Sequence, residues 1–323
     1  MTATSIQWTD EVWNPVRGCS RVSEGCRNCY AERQAIRQAG PGRGYEGLVE
    51  STPSGPRWTG KLVLVNDLLV EPLRWRRPRR VFVNSMSDLF HEDIPENWLD
   101  AIFVAMSLSP AQTFQVLTKR PARAREYLET PVSPDRWLSA FNLLRAIAGP
   151  LDASRLIPTF GPIAWKGRQP LSNLWLGVSV EDQASAETRV PLLIATPAAV
   201  RFLSVEPLLE EVRIPLLPGR VGLAGMMQAQ GMPSLDWVIV GGESGPGARP
   251  CDVAWIRTVV RDCRESSVPV FVKQLGAKVV TDHRTRPSTD DWVSLSILRD
   301  RKGGDHAEWP EDLRVREFPR SLR

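Results

Sequence analysis

The sequence predicts an α/β protein, a parallel β/α barrel of TIM-like type, full or partial, with insertions and a C-terminal extension. Three observations predict it. Six short apolar runs alternate with stretches of helix length, as βα units on a parallel sheet do. Each run is followed at once by polar or charged residues, which is where the loops of a barrel build its mouth. The 323 residues also suit one barrel that carries insertions.

The elements follow in order. Within residues 1–16, Trp8 and Trp13 surround Thr9 and Asp10, and a short first strand leads into a cysteine-bearing loop. Tyr30 to Arg37 are good helix formers, so the loop runs into a helix whose positive end suits an anionic group. Residues 40–60 are dense in Gly and Pro and read as an irregular excursion. Lys61 to Val65 is a β-branched and Leu run, and Asp67 to Leu73 already reads as helical. Arg74-Trp-Arg-Arg-Pro-Arg-Arg80 is either a solvated connection before a strand or a set of phosphate contacts.

From there the rhythm is regular. Val81 to Val83 precedes Asn84-Ser-Met-Ser-Asp88 and a helix over Pro95 to Leu108. Phe114 to Leu117 precedes Thr118-Lys-Arg-Pro121 and a helix over Ala122 to Leu128. Leu174 to Val178 precedes Ser179-Val-Glu-Asp182 and a helix over Gln183 to Ile194. Val200 to Leu203 precedes Ser204-Val-Glu-Pro207. Trp237 to Val240 precedes Gly241-Gly-Glu-Ser-Gly245 and a helix over Val253 to Glu265. Val268 to Val272 precedes Lys273-Gln-Leu-Gly276, and one or two more strands are expected before residue 70. Residues 130–172, rich in proline, and 211–235, with Gly222, Gly225, Gly231, Met226 and Met227, interrupt the alternation. They read as insertions, either lids over the mouth or surface decoration. The barrel is expected over 1–276, and the tail 277–323 spends Trp309, Val315 and Phe318 on packing back against it.

Composition narrows the classes. Hydrophobic residues make up 42% and charged residues 24%, which provides an ordinary core. A net charge of +4 is too small to establish a nucleic-acid partner. The first residues lack the basic and apolar regions of a signal peptide, and no run reaches the length of a membrane span. A cytoplasmic protein without a membrane partner is expected, its five cysteines serving metal or redox chemistry. His91, His283 and His306 are scattered, with no H-E-x-x-H and no G-x-S-x-G, so zincin and serine-hydrolase chemistry are unsupported.

Cys19, Cys26 and Cys29 lie within eleven residues. Thiolates are soft ligands for zinc or an iron–sulfur cluster. Three of them leave one position open, as catalytic metal sites do; the alternative is a structural zinc knot closed by Cys251, Cys263 or a histidine. Gly18 and Gly25 each precede a cysteine and let the backbone wrap closely. The strand ends supply the remaining candidates: Asp88, Lys119 and Arg120 for substrate, Ser179 and Glu181 for a cofactor, Glu206 and Lys273 for catalysis. A charge placed directly after an apolar strand must desolvate unless it meets a polar mouth or another charge. The turn Gly241-Gly242-Glu243 admits close backbone approach to an anionic ligand, without P-loop or dinucleotide spacing. Cys251 closes that turn and is a candidate hydrogen-atom donor, whereas Cys263 reads as a buried, inert thiol.

The run N-P-x-x-G-C, then G-C-x-x-C-Y-A-x-R, resembles the cluster loop of radical S-adenosylmethionine enzymes, closest to the spore-photoproduct-lyase-like branch. Six residues separate Cys19 from Cys26 where that branch has three, and Asn28 stands where an aromatic residue is usual. Over nearly its full length the chain also resembles a phage-associated three-cysteine-motif family. The shared phrases are W-T-D-x-x-W-N-P, V-N-S-M-S-D-L-F, L-T-K-R-P, G-V-S-V-E, S-V-E-P-L and V-I-V-G-G-E-S-G. The first resemblance implies a [4Fe–4S] cluster on Cys19, Cys26 and Cys29, with S-adenosylmethionine on the fourth iron. It implies contact of the Gly241-Gly242-Glu243 turn with the cofactor's amino group, although that turn normally follows the second strand. It further implies a 5′-deoxyadenosyl radical, an electron donor such as flavodoxin or ferredoxin, and, with the phage likeness, a nucleic-acid or nucleotide substrate. The rivals are a zinc-dependent hydrolase or deaminase and a non-enzymatic nucleic-acid-binding protein with structural zinc. An enzyme of this type requires the cysteines to meet Glu181, Glu206, Glu243 and Lys273 in one cleft.

Overall fold

Seven strands of the computed structural model belong to one sheet. They are β1 (Glu11–Trp13), β2 (Arg80–Val83), β3 (Thr113–Thr118), β4 (Leu174–Ser179), β5 (Val200–Val205), β6 (Trp237–Gly241) and β7 (Val270–Gln274). Their order across the sheet is their order in the chain. The pairs β1–β2, β2–β3, β5–β6 and β6–β7 are parallel. The structure describes residues 4–149, 171–215, 234–280 and 298–319. Met226, Met227, the three glycines near them and His283 lie outside the described residues, as does 150–170 of the first expected insertion. Among the described residues no helix is long and apolar enough to cross a membrane.

The chain divides into two compact units. The first comprises Met1–Val22, Cys29–Leu176 and Thr196–Ala199; the second comprises Ser23–Asn28, Gly177–Ala195 and Val200–Arg323.

In the first unit, the helix α1 (Tyr30–Ala35) lies between β1 and β2, α2 (Glu96–Ser107) lies between β2 and β3, and α3 (Pro121–Glu129) and α4 (Pro134–Ala148) follow β3. Every residue of α2 from Leu99 to Ser107 is buried, Asp100 included. Asp100 accepts from Tyr127 of α3 at 2.9 Å and from Nε and Nη2 of Arg136 of α4, each at 2.9 Å. One buried carboxylate therefore ties three helices together, and its charge is matched by the guanidinium. Helix α4 lies within the stretch from residue 130 that the sequence marks as an insertion. Pro134 occupies the first turn, where a missing N–H costs nothing, and Ser133 caps Arg136 N. Ala140, Phe141 and Leu144 then bury one face. The excursion at 40–60 likewise contains an antiparallel hairpin, Val49–Thr52 with Gly55–Trp58.

In the second unit, all five residues of β6 are buried. Helix α5 (Gln183–Ala195) precedes β5, and α6 (Val253–Glu265) precedes β7. Asp252 caps α6 through Ala254 N, and Val253, Ile256, Val259, Val260 and Cys263 bury its inner stripe. Tail residues run beside β7: Val272 N donates to Val315 O at 2.9 Å, and Trp237 Nε1 donates to Glu317 O at 2.9 Å. Phe318 stacks on Trp237 with ring centroids 5.4 Å apart. Apolar burial holds this segment, consistent with its spending of aromatic residues.

Candidate functional site

The two ends of the cysteine loop belong to the first unit. Gly18 has φ +92°, and a Cβ there would lie 2.0 Å from Lys61 O, so glycine is required. Cys19 and Cys29 pack against a buried cluster that includes Ala31, Ala35, Tyr45, Trp58 and Met86. Glu32, 1% exposed, fixes α1 by accepting from Arg21 at 3.0 and 2.6 Å and from Trp58 N at 3.1 Å. Helix α1 ends at Ala35 and tightens into a 3₁₀ turn, Ile36–Gln38, shorter than the expected stretch to Arg37.

The polar residues after β2 and β3 reach that loop. Asp88 Oδ1 accepts from Thr118 Oγ1 at 2.6 Å and from Phe90 N at 3.0 Å. Its Oδ2 accepts from Lys119 N at 2.9 Å and Arg120 Nη1 at 3.1 Å. Arg120 also pairs with Glu92 at 2.7 Å and donates from Nη2 to Ser20 Oγ at 2.9 Å. Burial lowers the pKa of Arg120, but the charges of Asp88, Cys19 and Glu92 together raise it above the ordinary value. His91 Nδ1 accepts from Asp93 N at 3.2 Å, and Nε2 lies 2.7 Å from Ser20 Oγ. Burial, then Arg120, holds its pKa below the ordinary value, so a neutral ring with a proton on Nε2 fits both contacts. Ser20, next to Cys19, is thus the point where Arg120 and His91 meet.

The middle of the loop belongs to the second unit, where two strand-end carboxylates hold it. Glu181, after β4, is fully buried and accepts from Arg189 Nη1 of α5 at 3.2 and 3.0 Å. The same nitrogen donates to Ser179 O at 2.7 Å. Glu181 also accepts from Ser23 Oγ at 3.0 Å. A Cβ on Gly25 would lie 2.3 Å from Glu181 Cγ, so the loop lies directly on this side chain. Glu243, after β6 and 7% exposed, accepts from Arg249 N, Nε and Nη2 at 2.8, 3.0 and 2.7 Å, and from Asn28 Nδ2 at 2.9 Å. Burial raises its pKa, but the bonds from Arg249 and Asn28 outweigh this and leave it below the ordinary carboxylate value.

Glu206 and Lys273 form a looser pair in the same unit. Ser204 Oγ donates to Glu206 Oε2 at 3.1 Å, and Lys273 Nζ does so at 3.4 Å. Nζ lies 3.1 Å from Oε1 but off a hydrogen-bonding direction, which leaves Oε1 a buried acceptor without a hydrogen bond. The Glu206–Pro207 peptide is cis. Gly241 is glycine of necessity, since a Cβ would lie 2.9 Å from Glu206 Oε1, and one on Gly242 would lie 2.2 Å from Leu275 O. Cys251 is fully buried beneath Gly242, and burial, then Asp252, pushes its thiol up to about 12. Cys263 is fully buried in α6. All five cysteines are thiols, the three of the loop half-buried. Among the described residues no three His, Cys, Asp or Glu side chains are gathered as ligands of a single metal ion.

The arginine run lies elsewhere. Arg80 pairs with Asp10 at 2.8 Å and Arg79 with Glu11 at 2.9 Å, where β1 and β2 begin, so the run is at the opposite end of these strands from Asp88. Arg74, Arg76 and Arg77 are exposed. A surface groove along α6, lined by Arg257, Val260, Arg261 and Leu313 among others, holds none of the residues the sequence singles out.

Sequence reasoning missed Ser20, Ser23, Asn28, His91, Arg189 and Arg249. The one signal available was an arginine in the loop or helix after two of the strand-end carboxylates, Arg189 after Glu181 and Arg249 after Glu243; Arg120, the partner of Asp88, comes from the end of the next strand. Fold and site together define an α/β protein with parallel strand pairing, whose N-terminal cysteine loop is held by strand-end carboxylates with arginine partners. The chain belongs to the family described as protein of unknown function (DUF5131), whose model matches residues 3–302. No curated protein and no solved structure matches it.

Proposed function

We propose that the chain is an iron–sulfur enzyme of the radical S-adenosylmethionine type, in which Cys19, Cys26 and Cys29 hold a [4Fe–4S] cluster. The observation that carries this proposal is three half-buried thiols on one loop with glycines where no Cβ fits. Each thiolate of such a cluster meets a different iron. The set therefore does not have to surround one ion at about 2.3 Å, as zinc would demand. When bound, the group supplies reductive cleavage of S-adenosylmethionine and hence a radical that takes hydrogen from the substrate. The chain's own residues orient and shield. Arg120, bonded to Ser20 beside Cys19, fixes that end of the loop. Gly241 and Gly242 give the cofactor backbone to lie against, and Glu206 with Lys273 provides a carboxylate and an ammonium for substrate groups. Lys119 is the nucleic-acid or nucleotide contact after β3, and flavodoxin or ferredoxin is the class of electron donor. Strands in chain order with parallel pairing are what a partial β/α barrel requires, and we place the chain in that class.

Anaerobic reconstitution tests the proposal. About four irons and four sulfides per chain are expected. Alanine at Cys19, Cys26 or Cys29 should abolish them, and Cys263→Ala should not. Stoichiometric zinc after anaerobic, iron-supplemented expression would overturn it.

A further inference from the structure

We propose that Glu181 and Glu243 are positioning residues that hold the segment Ser23–Asn28, and with it Cys26, in place before any metal binds. Neither then touches cofactor or substrate. The functional meaning rests on Cys26 as a cluster ligand, but the hydrogen bonds of the clamp run between groups of the chain itself. Four observations carry it.

First, Glu243 accepts four hydrogen bonds from its own chain, three from Arg249 and one from Asn28. Three of them fall on Oε2 and one on Oε1, so both oxygens are engaged within the chain. Second, both carboxylates are buried and each is matched by its own arginine, which spares the chain an uncompensated charge. Third, the tethers reach the two ends of the segment, Ser23 to Glu181 and Asn28 to Glu243. Asn28 Nδ2 donates its other proton to Gly247 O at 2.9 Å, which fixes the amide's orientation. Fourth, Arg249 Nη1 donates to Glu24 O at 2.9 Å, and Gly25 rests on Glu181. Between these tethers lies only a three-residue 3₁₀ turn, Glu24–Cys26, too short to order itself. Ordering the loop in advance spares metal binding that entropic cost.

Alkylation of Cys26 by iodoacetamide in the metal-free, full-length chain, followed by peptide mass spectrometry, tests the clamp. Ser23→Ala/Asn28→Ala removes the loop's side of it and leaves both carboxylate–arginine pairs intact. Cys26 should react about tenfold faster or more, since each bond is a charge-assisted one. Buried Cys251 should stay unmodified, showing that the fold is retained. Ser23→Thr, which keeps the hydroxyl, should react at the wild-type rate. Gly25→Ala, which drives a methyl into Glu181, should reproduce the acceleration by a different route. An unchanged Cys26 rate in both the double variant and Gly25→Ala would overturn the proposal. So would weaker S-adenosylmethionine binding in Glu243→Gln with Cys26 still protected. Because no metal is present in the alkylation, failure of the iron–sulfur reading leaves its result standing, and normal iron loading of an unclamped variant would overturn only the clamp's part in metal binding.

Discussion

Glu243 and Glu206 stand at equivalent places, each just beyond a buried strand of the second unit and each facing a cation, yet they are held in opposite ways. Glu243 meets the fork of Arg249 and an asparagine and is 7% exposed. Glu206 meets the single ammonium of Lys273, itself 28% exposed, at 3.1 Å from Oε1 and 3.4 Å from Oε2, with only the longer contact along a hydrogen-bonding direction. An arginine fork fixes a carboxylate in plane and register, whereas a lysine offers a mobile point charge. The difference separates two roles that look alike in sequence. Glu243 accepts its bonds from an arginine and from the loop it holds; Glu206 accepts its bonds from its own strand end and from a lysine.

The largest expected effect comes from removing the arginine of a buried clamp pair. Arg189→Ala leaves Glu181 fully buried without its guanidinium, at a cost of about 3–5 kcal/mol. Lys273→Ala, at a partly exposed pair, should cost about 1 kcal/mol or less. Urea unfolding of the two variants checks this. Equal losses would erase the distinction between clamp and open pair.

A middle-sized effect has a pH signature. Glu243 ionises below its ordinary value of 4.5 in the folded chain. The stability this contributes is fully present above that pH and is lost as the pH falls through the folded pKa. Asn28→Ala removes one of the bonds that lower it, so the folded pKa rises toward 4.5 and the variant has less to lose on acidification. Wild type should exceed Asn28→Ala by about 1–3 kcal/mol at pH 7, and the gap should narrow below pH 4.5. A gap that is constant or widens in acid would assign the effect of Asn28 to something other than Glu243.

The same contrast explains what the sequence reveals. Runs such as Trp237 to Val240 and Val81 to Val83 show their strands because burial on both faces leaves an unbroken apolar stretch. Helix α4 is hidden because the prolines of 130–172 mark that stretch as an insertion, although Pro134 starts the helix rather than interrupting it. The Val49–Trp58 hairpin was hidden in a stretch dominated by Gly and Pro. At the site, Glu181 and Glu243 stand out because a charge follows an apolar strand. Their partners do not: Asn28 lies 215 positions from Glu243, and nothing in one chain's letters links residues so far apart. Sequence could therefore point to the carboxylates but could not tell a clamp from an open pair.

The smallest expected effect on stability, Glu206→Gln, is the sharpest test of the contrast. The amide keeps the size of the side chain and an oxygen for Ser204 Oγ, and it removes only the attraction to a partly exposed lysine. Unfolding should shift by about 1 kcal/mol at most. Cys26 should stay as protected as in the wild type, because no tether of the Ser23–Asn28 segment passes through Glu206. Iron and sulfide content after reconstitution should be unchanged for the same reason. Under the proposed function, turnover is where the change is expected, by about a hundredfold or more in kcat if Glu206 transfers a proton. A variant with full iron content and full turnover would remove Glu206 from catalysis. One that lost iron together with the protection of Cys26 would place Glu206 in the clamp beside Glu243, and the two strand ends would then differ in geometry but not in role.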